Sequence, residues 1–253
     1  MGSFLQQLPN TWRPFYGAFT SLHPAQKAAI LPVLEGKDLV LQSATGTGKT
    51  EAVLAPVLER LIQQKRSFTV LYLVPTRALA VDLLRRLEVV IREKLELQLA
   101  VRTGDIHRWG SSRPDLLLTT PESLDVAIGS KNQEQREFLS RVEVVILDEA
   151  HAYAGQYRGV QICRLLERLE QRNQRGFQKI ALSATLTEPA NIIKCLGLKE
   201  DAVPLVFPGS SQIQPHLVHL KNEKELSDFL QSVEKRAFKR SLYHVRDEEA
   251  ALD

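Results

Sequence analysis

The sequence predicts an α/β fold in which a mostly parallel sheet carries helices on both faces. Three observations predict it. Strand-like runs at 39–42, 69–74, 97–101, 116–119, 142–147, 179–182 and 203–207 alternate with helical patterns along the 253 residues, the order expected of strands joined by helical crossovers. A glycine-rich turn, Ser43-Ala44-Thr45-Gly46-Thr47-Gly48-Lys49-Thr50, follows the first run directly. An acidic pair, Asp148-Glu149, follows the fifth. In an open parallel sheet the ligand crevice lies beyond the carboxyl ends of the strands, and both segments fall there.

Taken in order, the first run feeds a loop that departs from G-x-x-x-x-G-K-[ST] only at its first position, where Ser43 replaces glycine. Its backbone N–H groups, at Thr45, Gly46, Thr47 and Gly48, are placed to face phosphates, with Lys49 reaching the β- and γ-phosphates and the Thr50 hydroxyl ligating Mg²⁺. A helix is expected over 48–64. The second run ends in Pro75-Thr76-Arg77-Ala78-Leu79-Ala80, which opens a helix over 76–94, and the fourth ends in Thr119-Thr120-Pro121-Glu122-Ser123-Leu124. Pro75 and Pro121 suit helix starts, where a missing N–H goes unused. Thr76, Arg77, Thr120 and Glu122 then present polar groups on a surface able to take backbone phosphates. The plain alternative is helix capping by Thr76 and Thr119. The fifth run delivers Asp148 to the Mg²⁺ shell and Glu149 to orient or deprotonate a water aimed at the γ-phosphate. In the helix over 159–171, Val160, Cys163, Leu166 and Leu169 recur at helical spacing and are read as core. The sixth run ends in Ser183-Ala184-Thr185.

Composition sets the bounds. At 43% hydrophobic and 25% charged residues the chain is ordinary globular protein, long enough for one large domain and a remnant. A net charge of +3 permits nucleic-acid binding without arguing for it, and the basic residues are spread as on solvated helix faces. Cys163 and Cys195 lack ligand spacing, which points to buried thiols and away from zinc; His216 and His219 read as surface residues. The amino terminus has no signal-peptide pattern and no apolar stretch reaches the roughly 18 residues of a membrane span, so a cytoplasmic protein is expected.

With these segments in view, the chain resembles the first RecA-like domain of superfamily-two helicases of the DEAD/DEAH type. Ser43 to Thr50 is similar to motif I, Pro75 to Ala80 to motif Ia, Thr119 to Leu124 to motif Ib, Asp148-Glu149-Ala150-His151 to motif II, and Ser183 to Thr185 to motif III. The segments from His151 to Gly159 and from Leu182 to Leu186 look most like the Lhr (large helicase-related) branch. The resemblance implies a RecA-like P-loop domain over 1–205. It also implies that Gln26 reads adenine, that Thr103-Gly104-Asp105 touches nucleic acid, and that His151, Ser183 and Thr185 relay the γ-phosphate state. The implied ligands are ATP and Mg²⁺. The implied partners are nucleic acid, with DNA favoured over RNA and a single strand or duplex junction as its form, and a second RecA-like domain; no membrane and no zinc are implied.

The tail, 206–253, reads as a linker and the truncated start of that second domain. Asn222 and Glu225 fit a capping box, with Leu226, Phe229, Leu230 and Val233 at helical spacing behind it. The segment from Ser241 to Ala250 is similar to the opening of the second domain, and a fragment of a longer protein is expected. No arginine-rich motif of that domain is present. Since such a finger is worth about 10³ to 10⁵ in rate, the chain alone is expected to bind nucleotide and hydrolyse it very slowly. Two other readings stay open: an RNA-remodelling ATPase, and a non-catalytic module gated by ATP.

Overall fold

A computed structural model of the chain describes residues 2–64, 68–104, 106–108, 114–153, 156–173, 175–184, 189–207 and 225. Contacts divide the chain into Met1–Ser211 and Gln212–Asp253. Of the second unit only Glu225, which is helical, is described. The rest of the expected tail helix, His216, His219 and the segment from Ser241 lie outside the described residues, as do Asp105 and Thr185.

In chain order the elements are α1 (Gly2–Gln7), α2 (Trp12–Tyr16), α3 (Pro24–Leu34), β1 (Leu39–Ser43), α4 (Lys49–Gln64), β2 (Thr69–Leu73), and α5 (Arg77–Glu88) with a π-helical extension, Val89–Lys94. There follow β3 (Leu99–Thr103), β4 (Ile106–Arg108), β5 (Leu116–Thr119), α6 (Pro121–Gly129), α7 (Gln133–Leu139) and β6 (Val142–Leu147). A 3₁₀ turn (Ala150–Ala152), α8 (Gln156–Arg172), β7 (Gln178–Ser183), α9 (Pro189–Cys195) and β8 (Val203–Phe207) complete the described chain. The eight strands form one sheet in the order β4-β3-β5-β2-β6-β7-β1-β8. All neighbours pair parallel except β4, which turns back on β3 as an antiparallel edge, Val101 opposite Arg108. The sheet is therefore mostly parallel, as expected, and β4 is an addition. Three residues at an edge carry too little alternation to announce a strand.

Successive strand residues point to opposite faces, and this alternation builds two cores. Leu39, Leu41, Val70, Tyr72, Ile146 and Leu182 pack with residues of α3, α4 and α5. Val40, Leu71, Leu73, Val145, Leu147 and Ala181 pack with α6, α7, α8 and α9. Helices thus cover both faces. In α8 the buried stripe is Ile162, Leu165, Leu166 and Leu169, while Val160 is 60% exposed and Cys163 only half-buried. Residues spaced strictly by three drift backwards by about 60° per step, since each residue turns the helix by about 100°. Val160 and Leu169 therefore stand on opposite sides, which corrects the core expected from the sequence. Cys195 is likewise half-buried and not fully buried.

The amino-terminal helices are fastened to α4 by one carboxylate. Glu59 is fully buried and accepts hydrogen bonds from the Asn10 and Thr11 backbone N–H groups at 2.9 and 2.8 Å, from Asn10 Nδ2 at 2.6 Å and from Thr11 Oγ1 at 3.0 Å. A buried carboxylate survives only with such a set of donors. Through it, the segment between α1 and α2 is held to α4.

Candidate nucleotide and strand site

The turn after β1 is built for close backbone approach. Gly46 and Gly48 have φ of +82° and +76°, the left-handed region that glycine enters without a Cβ clash. A side chain at Gly48 would also strike the Gln26 amide. Position 43 shows no such need, and the first glycine of the general pattern is dispensable here. The Ser43 and Thr47 hydroxyls lie 2.6 Å apart, and Thr47 Oγ1 donates to the Ala44 carbonyl at 2.9 Å, so serine braces the loop. Lys49 opens α4 and is buried, its ammonium donating to the Ser43 and Ala44 carbonyls at 2.7 and 3.2 Å. Gln26 is buried in the first turn of α3, accepting from His23 N at 2.9 Å and donating to the Gly48 carbonyl at 3.4 Å. The first bond caps α3 and the second ties it to the turn.

The carboxyl end of β6 brings the acidic pair beside this loop. Asp148 Oδ1 accepts from the Glu149 N–H at 2.9 Å, and Oδ2 accepts from the Tyr72 hydroxyl at 2.9 Å. The same phenol oxygen lies 3.5 Å from Thr50 Oγ1, so one buried side chain on β2 spans the two motifs. Tyr72 falls within the strand-like run 69–74, and nothing in an apolar strand signals that one hydroxyl is aimed at a carboxylate. Glu149 sits at φ +49°, ψ +47°, a left-handed conformation costly for a non-glycine residue and found where surroundings over-determine it. His151 Nδ1 lies 3.3 Å from Glu149 Oε2 and 3.4 Å from Ser183 Oγ, so the segment after β6 touches the end of β7.

Burial sets the electrostatics. It pulls the Lys49 ammonium below the ordinary lysine range, against the upward pull of Glu149 and Asp148. It pushes the Asp148 carboxyl up, against the Tyr72 bond, with the Glu149 charge adding to the rise. Both ions are thus held closer to their neutral forms than in water, a state that a charged ligand would relieve. The donor set suits Mg²⁺: one hydroxyl and one carboxylate within hydrogen-bond range of a single phenol oxygen, hard ligands few enough to leave room for waters and phosphate.

The remaining segments lie on the same rim of the sheet. Thr76 caps α5, accepting from Leu79 N at 3.3 Å, and Pro75 precedes that cap where a helix start was expected. Thr76 and Arg77 are exposed, and the Arg77 guanidinium packs against Gly104, so motif Ia meets the exposed turn after Thr103. The cap of α6 is Thr120, not Thr119. Thr119 is still in the strand and donates to the Arg102 carbonyl at 2.7 Å, whereas extended Thr120 accepts from Ser123 N at 3.4 Å with Pro121 next in line. Thr120, Pro121 and Thr103 are buried, so of the motif Ib polar groups Glu122 alone stands in solvent. Pro75, Pro121 and Glu122 also join Tyr153 and Arg158 around a shallow notch.

Comparison with known proteins places this architecture. The family model described as DEAD/DEAH box helicase matches residues 23–193, from the start of α3 into α9. The chain belongs to the DEAD/DEAH box helicase family. It is 35% identical over 214 residues to the ATP-dependent helicase Lhr-Core protein 2 of Thermococcus barophilus, covering 75% of this chain and 24% of that protein. It is 32% identical over 224 residues to the probable ATP-dependent RNA helicase DDX27 of Homo sapiens, covering 82% of this chain and 28% of that one. The structure of Mycobacterium smegmatis helicase Lhr bound to ssDNA and AMP-PNP superposes with a TM-score of 0.72 at 29% identity, over 89% of this chain and 32% of that chain. The chain therefore spans 24% to 32% of the length of these relatives. Its likeness to the Lhr branch agrees with the motifs read from His151 to Gly159.

Proposed function

We propose that residues 1–205 form the ATP-binding jaw of a nucleic-acid helicase or translocase, and that 206–253 lead into a second RecA-like domain which completes the enzyme. One observation carries this reading: Lys49, Thr50, Asp148 and Glu149 converge at the carboxyl ends of β1 and β6, with Tyr72 in reach of both Thr50 and Asp148. Lys49 would leave the loop carbonyls for the β- and γ-phosphate oxygens, and the N–H groups of Thr45, Gly46, Thr47 and Gly48 would cradle the phosphates. Thr50 and Asp148 would hold Mg²⁺, which when bound neutralises phosphate charge. Glu149 would orient a water and accept its proton, and Gln26 would meet the adenine edge. His151 and Ser183, with Thr185, would report the γ-phosphate to the strand-facing loops.

The strand-facing rim is Pro75, Thr76, Arg77, Thr103, Gly104, Asp105, Thr120, Pro121 and Glu122, and we assign its partner as DNA. The ssDNA-bound Lhr structure, at 29% identity over most of this chain, supports that choice. The 32% likeness to a probable RNA helicase keeps an RNA-remodelling ATPase as the second reading. A cytoplasmic protein fits the absence, among the described residues, of any helix long and apolar enough to cross a membrane. Calorimetric titration of the chain with adenylyl imidodiphosphate and Mg²⁺ tests the core of this proposal. Binding that the Lys49→Ala variant lacks is expected, and identical heats from the two proteins would refute it. Turnover separates an enzyme from a gated module. Hydrolysis by the chain should be very slow, should rise when the second domain is supplied, and should vanish in Glu149→Gln.

A further inference from the structure

The Tyr72 hydroxyl is the side-chain group on β2 that reaches the nucleotide machinery proposed above, beside the Leu73 carbonyl, which accepts from the Asp148 N–H at 2.8 Å. The residue is fully buried, stacked into the core formed with α3, α4 and α5, so its ring has no freedom to swing away. The geometry apportions its single proton. The 2.9 Å contact to Asp148 Oδ2 takes it, and the 3.5 Å contact leaves the Thr50 hydroxyl facing the phenol oxygen's lone pairs. Asp148 then has one donor on each oxygen, Glu149 N–H on Oδ1 and Tyr72 on Oδ2, which fixes the plane of the carboxylate. Phenylalanine would fill the same space, so packing does not account for tyrosine here.

We infer that Tyr72 is a positioning residue for divalent-dependent nucleotide binding: it orients the Asp148 carboxylate and sets its separation from the Thr50 hydroxyl, without itself touching the nucleotide. This rests on the Mg²⁺-nucleotide reading proposed above. Groups that orient metal ligands from behind contribute about 10- to 100-fold to metal affinity, and the effect of Tyr72 should fall in that range. It should appear only where the metal takes part.

The test is affinity for adenylyl imidodiphosphate, measured by calorimetry on the full chain with Mg²⁺ and with chelator, for wild type, Tyr72→Phe, Asp148→Asn and the double variant. The gain in affinity that Mg²⁺ gives the wild type should shrink about 10- to 100-fold in Tyr72→Phe, while affinity in chelator stays the same. In the Asp148→Asn background the tyrosine change should have no further effect, because the group it orients is gone. Equal loss with and without Mg²⁺ would mean a general packing defect and would overturn the inference. Full retention of the Mg²⁺ gain in Tyr72→Phe would overturn it as well. Should the wild type show no Mg²⁺ gain, the nucleotide reading itself fails, and that outcome is visible without any Tyr72 variant.

Discussion

The two ends of the central strands bury polar groups in opposite ways. At the amino ends, Asp38 spends both carboxylate oxygens on backbone donors, Lys179 N–H at 2.8 Å and Lys199 N–H at 2.9 Å. Asn173 bonds the Val142 carbonyl and accepts from Arg175 N–H at 3.3 Å, and Gln178 bonds the Lys37 carbonyl, keeping one oxygen without a partner. These partners are fixed backbone of neighbouring elements. At the carboxyl ends, Lys49 is held by loop carbonyls, Glu149 keeps a buried oxygen with no hydrogen bond and a left-handed backbone, and His151 and Ser183 meet at 3.4 Å. Here the partners are carbonyls at the end of β1 and in the turn after it, and other side chains, which a ligand could replace without unpairing the sheet. Burial alone therefore does not separate scaffold from site in this DEAD/DEAH domain. What separates them is whether a buried polar group's partners are exchangeable.

The sharpest way to break this comparison is to remove one charge from the carboxyl end. Lys49→Ala deletes a buried ammonium whose partners are loop carbonyls, so the fold should lose little, whereas two charge-assisted phosphate bonds disappear. Nucleotide affinity should fall by at least about 100-fold, about 3 kcal/mol, with little change in the thermal midpoint. A large drop in the midpoint would show that the ammonium is scaffold after all. The mirror experiment is Asp38→Ala. It strands one buried N–H, that of Lys179, and one part-buried N–H, that of Lys199, so urea unfolding should show a loss of about 1–3 kcal/mol from the first and less from the second. Nucleotide affinity of the folded protein should be unchanged.

A smaller effect of opposite sign is expected at Asp148. Its folded pKa is raised by burial, so between the ordinary value of 3.8 and that raised value the folded state holds more protons than the unfolded chain, and stability falls as pH rises through the window. Above the window the ionised carboxylate is a standing cost. Asp148→Asn removes that cost and should be more stable than wild type at neutral pH, the advantage fading as pH drops towards 3.8. Urea titrations of both proteins at pH 7.5, 5 and 4 measure it. An advantage that does not change with pH would point to packing and not to charge.

Most of the sheet was legible because each strand is a short apolar run punctuated by a turn or helix signal, and seven such runs became β1, β2, β3, β5, β6, β7 and β8. The nucleotide site was legible for a related reason. Glycines with positive φ and a lysine opening a helix are constraints on the backbone, and backbone constraints leave local marks. What stayed hidden depends on which way a side chain faces. The strict spacing by three placed Val160 in the core although it lies half a turn away from Leu169. Thr119 and Thr120 are neighbours with opposite facings, and one residue of register decides which of them caps α6. Tyr72 looked like strand filling because its partner is 76 residues away in the chain.

The rim beyond the carboxyl ends gives the finest test of the comparison, since there buried Thr103 and Thr120 stand beside the exposed Thr76, Arg77 and Glu122. Arg77 is exposed, packs on Gly104 and is the rim's strongest cation among the described residues assigned to strand contact. If it meets one backbone phosphate, Arg77→Ala should weaken single-strand binding equally for every sequence tried and lower the slope of log affinity against log salt by about 0.7. Nucleotide affinity should not move, because Arg77 is none of the residues assigned to the nucleotide. Fluorescence anisotropy of labelled oligonucleotides at several salt concentrations reads the slope directly. A slope unchanged in Arg77→Ala, with affinity lost all the same, would mean that the guanidinium shapes the Thr103-Gly104 turn from behind, and the exposed rim would then be scaffold of the same kind as the buried strand ends beneath it.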